Sequence, residues 1–356
     1  MEKRESNFEL LRIISMLFII LWHVIMHGGM LQNCQNEGLK ICLNILQFII
    51  VVHVNSFVLV SGYFQSKSKF KLSKFLTLVF QVIFYSSIIY LVGIKLGVVK
   101  NYNWGLILEN FTFNSIGNYW FINTYLIVYI FSDYINKFIN NLTKKDLKKF
   151  LIIGFIILSI VPIISCGKLL DNTGYNFYHF IYMYILGAYL RLFPLDKSYH
   201  LKIFSVKKYR IFLGCLFFIC VYLNYSFVIV SRELSNLNFI FDYVSNVFNY
   251  NSLNYSLPFV IIQSVVYFEL FGTFHFKNKF INYISKYVFG VYLIHDNRIV
   301  RSNIYNFLGI NKYFYTYKML LYMFLITIFI FAGCIFIDVL RDKIFKIVLK
   351  LKRSFI

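Results

Sequence analysis

Long apolar stretches recur along this 356-residue chain and constrain its fold more than any other feature. A helix needs about twenty consecutive apolar residues to cross the hydrocarbon core of a bilayer. We place about ten such segments, at residues 8–27, 41–63, 75–97, 119–137, 150–166, 176–193, 211–230, 255–273, 287–306 and 317–338. Because the lipid interior offers the backbone no water to bond, each segment should be a helix. The sequence therefore predicts an all-α polytopic integral membrane protein.

The composition excludes an ordinary soluble protein. Hydrophobic residues make up 59% of the chain and charged residues only 14%, whereas about a quarter of a typical soluble domain is charged. The net charge of +21 raises the question of nucleic acid, but no basic domain stands apart from the apolar segments. Basic loops of a membrane protein explain this charge more simply. The six cysteines show no metal-ligand spacing, so we expect no metal site.

The basic residues are distributed unevenly among the connecting segments. Clusters such as Lys67–Lys74 and Lys144–Lys149 follow every second apolar segment, while the intervening loops hold few basic residues. Basic loops of this kind face the cytoplasm, and an even number of spans then places both termini there. We therefore expect one transmembrane domain over residues 1–340, followed by a short basic cytoplasmic tail over residues 341–356.

Ionisable residues interrupt the first apolar segment, where they are costly. Arg12 and His23 are eleven residues apart, so they share one helix face about 16 Å apart along the axis. Glu9 lies one turn before Arg12, and His27 lies one turn after His23. Such a polar stripe at membrane depth is a functional-site hypothesis by default. The alternatives are an interfacial Glu9–Arg12 ion pair, a packing role for His23, a helix-end position for His27 and a core role for His53 in the second segment.

A second polar group lies in the ninth segment. His295, Arg298 and Arg301 are spaced by three and are expected to share one face of a continuous helix. Two arginines at this depth need partners, and Asp296 and Glu269 are the candidates. An anionic or polar ligand would serve equally well.

Several short motifs together indicate a family. The segment Glu9-Leu10-Leu11-Arg12, followed by ten residues and His23, resembles the Arg-X10-His signature of the membrane acyltransferase-3 family. Four further segments resemble that family's landmarks in the same order: Phe57–Phe64 (FVLVSGYF), Trp120-Phe121, Ile185–Tyr189 (ILGAY) and Tyr292–His295 (YLIH). The resemblance covers nearly the whole chain. Within the family, the chain looks most like bacterial O-acetyltransferases that modify capsular or other surface polysaccharides.

The resemblance implies transfer of an acyl group, usually acetyl, from cytoplasmic acyl-CoA to a sugar hydroxyl within or beyond the membrane. It implies a multi-pass protein of the bacterial cytoplasmic membrane, with no bound cofactor and with acetyl-CoA as the donor substrate. The expected partners are acyl-CoA, a glycan or lipid-linked glycan acceptor and membrane lipids, but no nucleic acid. Some family members have an appended extracytoplasmic domain. The chain ends soon after its last span, so we expect donor and acceptor to meet in the membrane domain.

The resemblance also suggests roles for individual residues. His23 would act as the general base or become transiently acylated. Arg12 would hold the coenzyme A side, oriented by Glu9. Lys71 and Lys74 match the position of the family's Arg-x-x-Arg loop, but lysines would bind the donor phosphates only as point charges.

Two questions stay open at this point. His295, Arg298 and Arg301 would either bind the acceptor or complete an oxyanion site. The main alternative function is a transporter or flippase for a polar or glycan-related solute, because a polar stripe across a bilayer also describes a translocation path. The expected marks of that class, internal repeats and paired helices broken by Gly or Pro, are not evident in the sequence. A purely structural protein would leave the buried Arg and His groups unexplained.

Overall fold

The computed structural model describes residues 4–100, 103–165, 169–170, 173–194, 205–235, 253–310 and 316–354, and the regular elements in these ranges are all helical. Short turns of other helix types cover Phe113–Asn118, Ile156–Ile160 and Ser285–Tyr287. The α-helices are α1 (Ser6–His27), α2 (Met30–Asn33), α3 (Glu37–Ile50), α4 (His53–Gln65), α5 (Leu72–Lys95), α6 (Trp104–Phe111), α7 (Trp120–Asn140), α8 (Lys144–Phe155), α9 (Val161–Ile164), α10 (Phe177–Leu192), α11 (Val206–Ser235), α12 (Pro258–Gly272), α13 (Lys279–Ile284), α14 (Val288–His295), α15 (Arg298–Phe307) and α16 (Lys318–Ser354). The all-α prediction is confirmed.

Six helical segments of the described chain are long and apolar enough to cross a membrane. They cover Ser6–His27, Glu37–Gln65, Leu72–Lys95, Lys144–Ile164, Val206–Val230 and Lys318–Ile347. The other predicted spans coincide with helices that are shorter or more polar, namely α7, α10, α12 and the group from α13 to α15. The multi-pass character is therefore supported, and the count of about ten stays a prediction.

The chain divides into two compact units. The first unit comprises Met1–Lys40, Leu76–Tyr119 and Lys277–Ile356, and the second comprises Ile41–Phe75 and Trp120–Phe276. In the first unit, α1 packs against α13, α14, α15 and α16. Its inner face is fully buried at Leu11, Ile20 and Val24. The helix that carries the polar stripe is thus at the centre of its unit.

Two glycines set the main helix contact of the second unit, between α4 and α10. A Cβ atom at Gly62 would overlap the carbonyl of Tyr184, and a Cβ atom at Gly187 would overlap the carbonyl of Leu59. Small residues let helix backbones approach closely where lipid provides no hydrophobic drive for association. The glycines of two family-like motifs, FVLVSGYF and ILGAY, therefore have a packing role.

The second predicted span is interrupted. Residues 51–52 separate α3 from α4, although the sequence predicted one helix over residues 41–63. Gln263 Nε2 donates to the Phe48 carbonyl at 2.9 Å, near the end of α3. An amide from another helix stabilises such a break because it bonds a backbone group that the apolar surroundings would leave unpaired.

The ninth predicted span is also broken, and the expectation that His295, Arg298 and Arg301 share one helix face is wrong. α14 ends at His295 and α15 begins at Arg298. Asn297 makes the break stable because its Oδ1 accepts from the Ile299 N–H at 3.0 Å, which caps α15. The side chains on the two sides of this break consequently point in directions that a single helix could not provide.

Candidate active site

Three histidines of the first unit come together where α1 packs against α14. The His23 ring centroid lies 5.2 Å from that of His27 on α1 and 5.2 Å from that of His295 on α14. His23 retains 12% side-chain exposure, whereas His295 is only 1% exposed. His27 is exposed near the end of α1. The sequence predicted His23 and His295 as site residues and favoured a helix-end position for His27, and the structure brings all three into one cluster.

A buried carboxylate completes the cluster. Asp296 is 1% exposed, and its Oδ1 lies 3.7 Å from His23 Nδ1 and 2.8 Å from Arg301 Nη1. The expected Asp296–Arg301 partnership is thus present. Burial of this carboxylate is compensated by the guanidinium, because an unpaired charge would be very costly there. The proximity of Asp296 to His23 was not expected from the sequence.

The hydrogen bond of His295 defines its protonation pattern. His295 Nδ1 lies 2.6 Å from the Val291 carbonyl oxygen, which can only accept, so Nδ1 bears the hydrogen. The lone pair of a neutral ring is then on Nε2, for which the described residues supply no hydrogen-bond partner. Neutral His295 can therefore accept a hydrogen bond at Nε2, which is buried. In this tautomer the Nδ1 hydrogen is bonded to Val291, so neither ring nitrogen of His295 is able to donate to an oxyanion.

Tyr119 and Asn297 support the break beside the cluster, and sequence reasoning missed both. Tyr119 is fully buried, and its hydroxyl donates to the Leu293 carbonyl at 2.9 Å. Asn297 Nδ2 in turn donates to the Tyr119 hydroxyl at 2.8 Å. These bonds hold the end of α14 and therefore fix His295 and Asp296. Nothing in the sequence indicated a contact between Tyr119 and residues so far along the chain.

Arg12 and Glu9 form a separate site near the other end of α1. Arg12 Nη1 lies 3.1 Å from Glu9 Oε2, and Arg4 Nη1 lies 3.7 Å from Glu9 Oε1. The Arg12 side chain is 32% exposed, so the pair is accessible. Along α1, Arg12 is about 16 Å from His23. The pair is thus separate from the histidine cluster along the helix.

Arg298 does not join Arg301 in the buried ion pair. It occupies the first turn of α15 with an exposed side chain, and no described Asp or Glu forms an ion pair with it. Glu269, the other candidate partner for the arginines, belongs to the second unit. Of the three residues proposed for the acceptor site, the structure therefore brings His295 and Arg301 to the cluster.

Lys71 and Lys74 belong to the second unit, on the connection from α4 to α5 and the start of α5. Both side chains are exposed, and Lys74 Nζ lies 5.1 Å from the centre of the Tyr129 ring. Two polar side chains of α7 hold the connection. Asp133 Oδ1 accepts from the Phe70 N–H at 2.7 Å, and Asn136 Nδ2 donates to the Gln65 carbonyl at 3.0 Å. The lysines are therefore displayed on a well-anchored segment.

The chemistry available in the first unit is acid–base and electrostatic. Within the described residues, no three His, Cys, Asp or Glu side chains are arranged to hold a metal ion. The cluster instead combines a partly exposed imidazole, a buried carboxylate and a guanidinium. This combination suits the removal of a proton and the stabilisation of negative charge.

Comparison with known proteins identifies the family. Searches of curated proteins and of solved structures gave no significant match. The model of the acyltransferase-3 family, described as an acyltransferase domain, matches residues 5–339. The match includes α1 with the Arg12 and His23 pair and continues past the break that holds His295. The chain therefore belongs to the acyltransferase-3 family of membrane acyltransferases.

Proposed function

We propose that the protein transfers an acetyl group from cytoplasmic acetyl-CoA to a hydroxyl of a surface or capsular polysaccharide, or of its lipid-linked precursor. Family membership supports the acyltransferase class. One observation supports the site: His23 lies beside the buried Asp296–Arg301 pair and keeps partial exposure. The donor, the acceptor and a place in the bacterial cytoplasmic membrane are parts of this proposal.

His23 is proposed as the general base. Its Nδ1 faces Asp296, so a hydrogen at Nδ1 would leave the Nε2 lone pair for the acceptor hydroxyl. A carboxylate orients histidine in the same way in the Ser-His-Asp hydrolases. The 3.7 Å separation exceeds a hydrogen bond. Catalytic contacts in substrate-free sites are often long and shorten when the substrate binds.

The proposed transfer balances without any further reactant. The acceptor oxygen attacks the thioester carbonyl while its proton passes to His23 Nε2. The C–S bond then breaks, and the leaving thiolate of coenzyme A takes the proton from His23. One C–O bond forms, one C–S bond breaks, and His23 returns to its neutral form. A transient acyl group on His23 is the alternative order of the same bond changes.

Arg301 and His295 are proposed to act on the charges and the acceptor. A guanidinium has five N–H groups, and one of those of Arg301 bonds Asp296. The remaining N–H groups would stabilise the oxyanion that develops on the thioester carbonyl. His295 would accept a hydrogen bond from a hydroxyl of the acceptor and thereby orient the sugar. Arg298, exposed on the first turn of α15, would contact a more distant part of the acceptor.

The donor is proposed to bind from the cytoplasmic side. The predicted orientation places Arg12, Lys71 and Lys74 on that side, and all three are accessible. Arg12, oriented by Glu9, would bind a phosphate or the pantetheine carbonyls, because guanidinium groups suit planar and bidentate recognition. Lys71 and Lys74 would attract the phosphates as point charges. The reaction then requires no bound cofactor beyond the acyl-CoA substrate.

A transporter is the alternative function, and the broken helices are the structural feature that favours it. Helices broken within the membrane are a feature of many secondary transporters, and the α3–α4 and α14–α15 breaks interrupt two of the predicted spans. Broken helices also serve enzymes, because a break frees backbone and side-chain groups to face a cavity. Solute uptake measured alongside glycan acetylation distinguishes the two.

The test compares glycan O-acetylation in cells that lack the protein and in cells that express wild type, His23→Ala, Arg12→Ala or His275→Ala. His275 is an exposed histidine of the second unit, so it provides a matched control substitution. We expect wild type and His275→Ala to restore acetylation and the other two variants to fail. Immunoblots of membranes check that all variants insert. Normal acetylation with inserted His23→Ala would refute the assignment, and lost solute uptake with intact acetylation would favour the transporter.

A further inference from the structure

A second buried charge lies in the first unit, away from the histidine cluster. Asp338 of α16 is fully buried, and its Oδ1 accepts from the Tyr85 hydroxyl and from Arg341 Nε, each at 2.6 Å. Burial of a carboxylate in an apolar helix is unfavourable even when it is paired, and a hydrophobic replacement is often as stable. The mechanism above does not use Asp338, so its presence needs another explanation.

The carboxylate of Asp338 lies directly against the backbone of α14. A Cβ atom built at Gly290 would overlap all three atoms of this carboxylate group. Only a glycine leaves room for so close an approach. Asp338 Oδ2 has no hydrogen-bond partner among the described residues, so this oxygen faces α14 without a donor. Gly290 and Asp338 therefore form one steric unit that sets the separation of α14 and α16.

The other end of α14 is held as well. Tyr119 donates to the Leu293 carbonyl and accepts from Asn297, as described above. α14 is thus fixed near its start by Asp338 and near its end by Tyr119. His295 is the last residue of this short helix, and Asp296 follows it directly. The position of α14 along its axis and its rotation about that axis consequently determine where both residues lie relative to His23.

We propose that Asp338 and Gly290 are positioning residues for the active site. By holding α14 against α16, they place Asp296 within reach of His23 and keep His295 beside it. This inference rests on the proposed function for its kinetic consequences, but its structural consequence is independent of the reaction. A displacement of about 1 Å at a catalytic contact can lower a rate about 100-fold. The His23–Asp296 separation is already 3.7 Å, so a further displacement of this size would keep the two groups from closing to a hydrogen bond.

The first test is Gly290→Ala, with Gly333→Ala as the matched control. Gly333 lies on α16, and nothing occupies the space where its Cβ would be added. We expect Gly290→Ala to lower kcat by roughly 10- to 100-fold with the acceptor KM within about twofold, because the added methyl group displaces α14. Gly333→Ala should behave as wild type. Equal kcat for Gly290→Ala and wild type, or a change confined to KM, would overturn the proposal.

A double-mutant cycle provides the sharper test. Asp338→Ala removes the carboxylate that the methyl group of Gly290→Ala would strike. If the two residues act as one steric unit, Gly290→Ala should cause no further loss of kcat in the Asp338→Ala background. Additive losses would show two independent effects and contradict the proposal. Asp338→Asn, which keeps the shape and the Oδ1 acceptor, should retain most of the kcat that Asp338→Ala loses.

A spectroscopic measurement separates this proposal from the proposed function. The seven histidines of the chain can be labelled with ¹³C and observed by NMR in lipid nanodiscs. Gly290→Ala should shift the His295 and His23 ring signals, and Gly333→Ala should not. If purified wild type transfers no acyl group, the proposed function fails, but these shifts still test the positioning role. Unshifted His295 and His23 signals in Gly290→Ala would refute the positioning role. If Gly290→Ala does not insert, Tyr85→Phe, which removes one hydrogen bond to Asp338, serves the same measurement with the same expected shifts.

Discussion

Both units bury histidine and amide side chains in apolar helices, but they use them differently. In the second unit, Asn55 Nδ2 donates to the Tyr255 carbonyl at 2.9 Å, and Asn55 Oδ1 accepts from His179 Nε2 at 2.9 Å. Asn55 is fully buried and His179 is 1% exposed. Their amide, imidazole and carbonyl groups bond three different parts of the chain. This network stabilises helix packing, as interhelical hydrogen bonds commonly do in membranes.

The histidine cluster of the first unit has charge and partial access instead. It contains the Asp296–Arg301 ion pair, and His23 keeps 12% side-chain exposure. A histidine in an apolar helix is therefore not in itself a sign of catalysis. The contrast teaches that an adjacent ion pair together with partial exposure distinguishes the proposed reactive site from a structural network.

The largest predicted effect is on kcat, and it should distinguish His23 from His179. His23→Gln should lower kcat by on the order of 10³-fold, because general base catalysis typically contributes 10²–10⁴. His179→Gln can still hydrogen-bond Asn55, so its kcat should stay within a few-fold of wild type. The check is the initial rate of acyl transfer by purified variants in liposomes. Equal losses of kcat in both variants would remove the distinction between the histidine cluster and the Asn55–His179 network.

The Asn55–His179 network, unlike the histidine cluster, should be destabilised by a buried negative charge. Asn55→Asp introduces a carboxylate into a network with no compensating cation among its described bonds, and should lower the free energy of unfolding by about 3 kcal/mol. Thermal unfolding in detergent, followed by exposure of buried cysteines, provides the measurement. Asn55→Ser should cost less because it adds no charge. A stable Asn55→Asp protein would show that the second network also accommodates ions.

Removal of the negative charge from the histidine cluster should affect the rate more than the stability. Asp296→Asn keeps an oxygen for Arg301 but loses the charge proposed to orient His23, so kcat should fall about 100-fold, which corresponds to about 2.7 kcal/mol in the barrier. Asp296→Glu should recover part of the rate. The same liposome assay, with acceptor KM measured separately, tests this. An unchanged kcat in Asp296→Asn would leave His23 without its proposed orienting group.

The smallest effect concerns the exposed lysines. Lys71→Gln combined with Lys74→Gln should raise the KM for acyl-CoA about fivefold with little change in kcat, because exposed ion pairs contribute about 1 kcal/mol or less. Replacement of both by arginine should restore the KM. Lys95→Gln, an exposed lysine predicted on the opposite side of the membrane, is the control. A lowered kcat with unchanged KM would assign the lysines a role other than donor binding.

Local patterns in the sequence predicted most of the long helices and most of the candidate residues. The apolar stretch at residues 8–27 became α1, and the spacing of Arg12 and His23 gave their separation along it. The glycines at positions 62 and 187 were found through motifs, and the structure supplies their packing reason. These features depend on residues close together in the chain, and periodicity and composition describe such residues well.

The sequence did not predict the long-range contacts. The break at Asp296 and Asn297 contains neither Gly nor Pro, and a capping asparagine within an apolar run has no distinctive signal. The approach of Asp296 to His23 depends on how α1 and α14 pack. Asp338 fell at the expected end of the last span, residues 317–338. In the structure α16 continues to Ser354, so this carboxylate lies within the helix.

The α14–α15 break also brings two helix ends of opposite partial charge next to each other. The C-terminal end of α14, which carries the partial negative charge of its peptide dipoles, adjoins His295, and the N-terminal end of α15, which carries the partial positive charge, adjoins Asp296. Positive charge is favoured at the first end and negative charge at the second. A continuous helix would cancel both fields along its length. The interrupted backbone thus acts as a fixed dipole pair that supports separated charge in surroundings with little water to screen it.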